Sequence, residues 1–189
     1  MHRFPRLHEA LDYVADAHNG QLRKGTKIPY LAHLLGVCAL VLEYGGDEDQ
    51  AIAGLLHDVI EDCGEQHRAR VRQQFGARVA DIVEGCTDVV PDAEGAKAPW
   101  QGRKEAYLHH LRTADRDTLL VSACDKLYNA RSIAADVRQL GADVFDRFKA
   151  GREGTLWYYR ELLQVFSARL GEADTLVIEL GASVSAMDR

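Results

Sequence analysis

The chain has 189 residues, 47% of them hydrophobic, 28% charged and 7% aromatic, with 4 Pro and 16 Gly. That length buries about 70% of the unfolded surface, enough for a core without disulfides or a structural metal, and the composition excludes collagen, coiled coil and wholesale disorder. The net charge of −6, from 23 basic and 29 acidic residues, argues against an extended nucleic-acid-binding face but leaves room for a local basic pocket.

Apolar residues recur at helical spacing along nearly the whole chain, and no segment alternates as a strand does; the expectation is an all-α fold. Leu7, Leu11, Val14 and Ala15 form one face of a first helix ending at Asn19-Gly20, followed by a polar loop from Gln21 to Pro29. Leu31, Leu34, Leu35, Cys38, Val41 and Leu42 stripe a second helix, closed by Gly45-Gly46 as a C-cap. Asp47 can cap a third, on which Ile52, Leu55, Leu56, Val59 and Ile60 repeat at i, i+3, i+4, i+7, i+8. Two further helices cover Glu65 to Phe75 and Val79 to Cys86, separated by Gly76. The stretch Val89 to Gly102, with Pro91, Gly95, Pro99 and Gly102, reads as a mobile surface loop; Trp100 within it is either part of a lid or a packing contact. Helices resume at Arg103 to Leu111 and Asp117 to Arg138. A connection from Gly141 to Gly154, helical around Phe145, leads to Trp157–Leu170 and Glu172–Gly181. With no repeat and no linker, residues 1–189 read as a single domain.

No uninterrupted apolar run reaches the roughly 18 residues of a membrane span; Leu31 to Leu42 comes nearest and contains His33. Glu9, Asp12 and Asp16 leave no apolar core for a signal peptide. The four cysteines, Cys38, Cys63, Cys86 and Cys124, form no Cys-x-x-Cys pair. They read as reduced thiols of a cytoplasmic protein, with Cys38 and Cys124 as small core residues.

Polar residues at a few places stand where an apolar stripe should continue. His57 and Asp58 interrupt Ala53-Gly54-Leu55-Leu56-His57-Asp58-Val59-Ile60-Glu61-Asp62; on a continuous helix Glu61 stacks one turn beyond His57, and Asp62 one turn beyond Asp58. Taken alone, this reads as the solvent edge of an amphipathic helix. His33 stands between Leu31 and Leu34, and Asp125 beside Cys124 and Leu127. Two imidazoles and two carboxylates from three helices form a mixed nitrogen and oxygen set that suits Mn²⁺, Fe²⁺, Co²⁺ or Zn²⁺. Sequence leaves open whether the three helices meet. His109-His110 points two ways, because neighbouring helical residues diverge by about 100°; this pair reads as surface.

The ordered series His, His-Asp, Asp resembles the HD-domain metal-dependent phosphohydrolases. Residues Ala17 to His33, containing His18, Arg23-Lys24 and Tyr30, are similar to the first motif of the Rel/SpoT-type alarmone hydrolases. Leu55 to Asp62 is similar to their second motif and Asp125 to Arg131 to their third. Gly154 to Tyr159 resembles, more weakly, a later segment that brings an aromatic to the nucleotide pocket. The resemblance runs from about residue 8 to 170 and implies a compact helical bundle; the length fits a stand-alone small hydrolase. Departures are Leu34 where the family usually has Pro, Ser132 where Thr is common, and Cys124-Asp125-Lys126 in place of Ala-Asp-Arg.

The resemblance implies that His33, His57, Asp58 and Asp125 bind one divalent cation, Mn²⁺ for preference. It makes Glu61 and Asp62 the catalytic carboxylates that orient water or take its proton. Arg23 and Lys24 become phosphate contacts, Arg23 also able to lie over a guanine face. Asn129 and Arg131 reach ribose and phosphates, although Arg131 can equally pair with Asp136. Tyr159 stacks on the base or packs with Leu162 and Phe166, and His18 lends support from behind the ligands. The implied activity is hydrolysis of the 3′-diphosphate of guanosine 3′,5′-bis(diphosphate)-type alarmones, with a small nucleotide as partner. Another phosphoester as substrate, or a non-catalytic nucleotide- or metal-binding module, also fits these residues.

Overall fold

The computed structural model describes residues 4–88 and 99–188. Ten α-helices follow in chain order: α1 (Leu7–Ala17), α2 (Leu31–Glu43), α3 (Glu48–Leu56), α4 (Val59–Cys63), α5 (Gln66–Phe75), α6 (Ala77–Cys86), α7 (Trp100–Leu111), α8 (Arg116–Leu140), α9 (Gly151–Leu170) and α10 (Thr175–Met187). A 3₁₀ segment, η1 (Gly141–Arg147), joins α8 to α9. No strand occurs among the described residues; one isolated bridge, Leu22 to Pro29, pinches the loop between α1 and α2. All-α organisation, expected from the periodicity, is what the chain adopts.

Helix starts follow local chemistry. Asp47 and Gln50 form a reciprocal capping box ahead of α3. Asp115 accepts from the Thr118 N–H at α8, and Asp174 from the Leu176 N–H at α10. Gly45, at φ +83°, turns the chain out of α2 in a conformation that costs other residues energy.

The core forms where α8 packs against α2, α3, α6, α9 and α10. Ile52, Leu55, Leu56, Leu127, Leu162 and Phe166 are almost wholly excluded from water, and each such side chain contributes about 1.5–3 kcal/mol. Gly36 sets the spacing between α2 and α8, because a Cβ there would lie 1.9 Å from Tyr128 Cε2. The close crossing brings His33 on α2 beside Asp125 on α8.

Several boundaries differ from expectation, and α9 begins at Gly151 rather than Trp157. The helix expected to run unbroken through His57 and Asp58 is two helices, with Asp58 at φ −99°, ψ −3° in the break. Helix α7 begins at Trp100, so the expected surface loop loses residues 100–102; its remainder from 89 to 98 lies outside the described residues. The last helix is displaced toward the C-terminus, at Thr175–Met187, because Asp174 is the capping residue.

Candidate metal centre and adjoining cavity

His33 enters from α2, His57 and Asp58 from the α3–α4 break, and Asp125 from the middle of α8. Their tips converge. His33 Nε2 is 3.2 Å from His57 Nε2, 3.4 Å from Asp58 Oδ2 and 3.3 Å from Asp125 Oδ1. His57 Nε2 is 3.0 Å from Asp58 Oδ2 and 3.6 Å from Asp125 Oδ1. Ligands about 2.1 Å from a divalent ion stand about 3.0–3.4 Å from one another in octahedral or tetrahedral arrangements; His33, His57 and Asp58 have that spacing, and Asp125 Oδ1 stands at 3.3 and 3.6 Å from the two imidazoles. The donor types agree, two imidazoles and two carboxylates.

The break explains how adjacent residues share one centre. On an unbroken helix His57 and Asp58 would point about 100° apart; the turn between α3 and α4 brings their tips to 3.0 Å. His57 Nδ1–H donates to the Gly54 carbonyl at 2.8 Å, which leaves Nε2 with the lone pair that a cation needs. His109 and His110, on unbroken α7, stay exposed, and His110 merely contacts the Gly85 carbonyl.

Burial and charge oppose one another here. Desolvation works against ionised His57, but Asp58 and Asp125 outweigh it and raise the imidazole well above its ordinary value. Burial likewise opposes the Asp125 carboxylate, yet Lys126 and then the two imidazoles hold it well below the usual range. Asp58 is held down in the same way, by His57 and His33 against its own burial.

Both carboxylates are also held from behind. Asn129 Nδ2 donates to Asp125 Oδ1 at 2.6 Å, and Lys126 Nζ to Asp125 Oδ2 at 2.5 Å. Tyr30 donates to Asp58 Oδ2 at 2.5 Å. His18 is buried and stacks on Tyr30 at 5.3 Å, in the supporting position expected of it. Gln21 links His18 to Asp62: its Oε1 accepts from His18 Nδ1–H (2.7 Å) and its Nε2 donates to Asp62 Oδ2 (2.8 Å).

Tyr30, Lys126 and Asn129 also line a cavity of about 520 Å³. Arg23, Lys24, Lys104 and Arg147 add further positive charge, whereas Asp136 is the single acidic lining residue among the described residues. Aromatic walls come from Trp100, Tyr128, Phe148, Tyr158 and Tyr159. Arg23 lies over the Tyr128 ring at 5.3 Å and donates to Asn129 Oδ1 at 3.0 Å. Cations among aromatic faces match a ligand that carries phosphates and a planar base.

Not every expected contact lies here. Arg131 does not line the cavity; it pairs with Glu179 of α10 at 3.1 Å, because six residues beyond Asp125 the helix has turned it away. Its other suggested partner, Asp136, pairs instead with Arg147 at 2.6 Å. Glu61 is half-buried and does not line the cavity, although its charge is felt by Lys104 and Tyr158, which do. Asp62 turns to Gln21 and solvent; desolvation and then the Asp58 charge push its carboxyl up. Lys104, Arg147 and Tyr158 were not legible as site residues. Lys104 is anchored by Asp88 at 2.7 Å, and burial followed by the charge of Lys126 lowers its pKa.

The sequence pattern of the HD domain matches residues 10–156. The chain belongs to the HD-domain family. Its HD domain is 35% identical over 128 residues to the guanosine-3′,5′-bis(diphosphate) 3′-pyrophosphohydrolase MESH1 of Xenopus tropicalis, covering 66% of this chain and 68% of that protein. It is 31% identical over 136 residues to the bifunctional (p)ppGpp synthase/hydrolase SpoT of Escherichia coli K12, covering 69% of this chain but only 18% of SpoT. Among solved structures, a Listeria monocytogenes EGD-e protein superposes with a TM-score of 0.72 at 27% identity, covering 83% of this chain and 99% of that one. A metazoan SpoT ortholog described as hydrolysing ppGpp superposes with a TM-score of 0.76, covering 98% and 97% of the two chains; at 23% identity it shares the HD fold.

Proposed function

We propose that this HD domain hydrolyses the 3′-diphosphate of guanosine 3′,5′-bis(diphosphate)-type alarmones, releasing pyrophosphate and leaving the 5′-nucleotide. The observation that carries the reading is the convergence of His33, His57, Asp58 and Asp125 beside a cavity rich in cations and aromatic rings. Relatives named for this activity support it.

His33, His57, Asp58 and Asp125 would hold the divalent ion, Mn²⁺ by preference, with Fe²⁺, Co²⁺ and Zn²⁺ also matching the donor set. When bound, such an ion makes water available as a nucleophile near neutral pH and offsets phosphate charge. Glu61 orients the attacking water and takes its proton; Asp62 supports it through Gln21. Water oxygen bonds to the phosphorus on the ribose 3′ oxygen, the bond from that phosphorus to O3′ breaks, and O3′ leaves with a proton. Arg23 and Lys24 bind phosphate at the cavity mouth, Asn129 reaches the ribose, and Tyr159 presents a ring to the base. We assign Arg131 no substrate contact. Residues 1–189 act as a single HD-type unit, and four unpaired cysteines fit a reducing cytoplasmic setting. Among the described residues no helix is long and apolar enough to cross a membrane.

Pyrophosphate release from the alarmone by purified, Mn²⁺-loaded protein tests this reading. Release with His57-dependent metal binding is the expected result. Turnover of ordinary nucleotides with none of the alarmone would replace the substrate, and metal binding without any phosphoester turnover would leave a binding module.

A further inference from the structure

Two of the four cluster side chains are held by hydrogen bonds from behind. His57 is fixed by the Gly54 carbonyl, and Asp125 by Asn129 and Lys126. Asp58 is different. It sits in the break between α3 and α4, its side chain caps no helix, and it is the most exposed of the four, at 21% against 2%, 2% and 8%. A carboxylate so placed has several rotamers open to it, and ordering it costs free energy when an ion binds.

We propose that Tyr30 is a positioning residue for the cation centre: its hydroxyl holds Asp58 in the rotamer that turns Oδ2 toward both imidazoles, and so sets the affinity for the divalent ion. The inference rests on the reading of this cluster as a cation centre. Tyr30 O–H meets Asp58 Oδ2 at 2.5 Å, the same oxygen that lies 3.0 Å from His57 Nε2 and 3.4 Å from His33 Nε2. A carboxylate oxygen has two lone pairs, so one can accept from Tyr30 while the other faces the ion.

Tyr30 is itself built in on every side. Its backbone N–H donates to the Gln21 carbonyl at 2.9 Å, and it begins α2 three residues before His33. Its ring stacks on His18 with the planes 20° apart and meets the His33 ring edgewise at 5.3 Å. His18 is in turn fixed by Gln21, which also binds Asp62. The loop from Gln21 to Tyr30 therefore ties the cation centre, through one hydroxyl, to the segment that carries Arg23 and Lys24. Partners behind a metal ligand commonly change affinity about 10–100-fold when removed.

Calorimetric titration with Mn²⁺ alone tests this on the whole chain. Tyr30→Phe keeps the stacked ring and deletes the hydroxyl; its dissociation constant should rise about 10–100-fold. The Mn²⁺ concentration for half-maximal pyrophosphate release should rise in step, with turnover recovering at saturating Mn²⁺. A packing role alone would lower the melting temperature of the metal-free protein and leave the Mn²⁺ constant unmoved, which would overturn the proposal. If Tyr30→Phe does not fold, as judged by circular dichroism, His18→Leu removes the stacking support and keeps the hydroxyl. A several-fold weaker Mn²⁺ affinity is expected there, and an unchanged one counts against the proposal. Wild-type protein that binds no Mn²⁺, or His57→Ala that binds it as tightly as wild type, would sink the cation centre as well; Mn²⁺-binding wild type with an unmoved Tyr30→Phe would sink only the role of Tyr30.

Discussion

His57 brings to the cluster an Nε2 that lies within 3.6 Å of three other donor atoms, with its Nδ1 committed to Gly54. His57→Ala is accordingly expected to lose stoichiometric Mn²⁺, measured by metal analysis after gel filtration; retained activity in that metal-free variant would count against the whole assignment. Glu61 has a different task. Glu61→Gln should keep its metal and lose about 10²–10⁴-fold in turnover, the usual contribution of general acid–base help, and a smaller loss would move proton transfer to another group. The candidate ligands were legible because each interrupts an apolar stripe, and burying a polar group there is costly unless it is satisfied. Arg131 shows the limit of that signal: being charged and near Asp125 in sequence does not say which way the helix has turned, and Glu179 claims it.

At the scale of elements, the crossing of α2 and α8 decides whether the site forms. Gly36→Ala would press a methyl group into Tyr128, and overpacking of this kind costs about 1–3 kcal/mol. The expected fall in melting temperature is about 2–12 °C for a chain of this size. Tyr128 carries Arg23 above its ring and donates to the Ala32 carbonyl at 3.2 Å, so the Michaelis constant should rise too; an unchanged constant would separate the crossing from the cavity. Asp47 governs the start of α3. Partial desolvation raises its pKa, but hydrogen bonds from Arg78 and the Gln50 N–H outweigh that and hold it below the ordinary 3.8. A lowered folded-state pKa means stability that is present above 3.8 and lost as pH falls through the lower value. Asp47→Asn keeps a capping oxygen without the charge. It should therefore melt slightly below wild type at neutral pH, by no more than about 1 kcal/mol for so exposed a pair, with the difference vanishing in acid. Capping residues such as Asp47 were visible in sequence; the break at His57-Asp58 was not, since the apolar repeat runs straight through it.

For the whole molecule, cation binding and folding are linked. The four proposed ligands come from α2, the α3–α4 break and α8, so the centre forms only when those elements are packed, and an ion bound there would stabilise the packed state. At 100-fold excess over its dissociation constant Mn²⁺ should add about 2.7 kcal/mol, seen as a rise of about 5–11 °C in melting temperature that a chelator reverses. Protons compete for the same imidazoles, so the rise should shrink as pH falls. No thermal response to Mn²⁺ at any pH would contradict a shared centre.

The order of the chain was enough to establish the helical class, the cap at Asp47, the three motifs and the four polar side chains proposed as ligands, because periodicity and misplaced polar residues are local properties. Tertiary structure alone decided that the two imidazoles lie within 3.6 Å of each other and of both carboxylates, that Lys104, Arg147 and Tyr158 join the cavity while Arg131 leaves it, and that Tyr30 donates a hydrogen bond to Asp58. The reason is geometric. Distances between residues far apart in sequence depend on how α8 packs against its neighbours, and a helix turning about 100° per residue lets a small change of register or a single break redirect a side chain from the site to solvent.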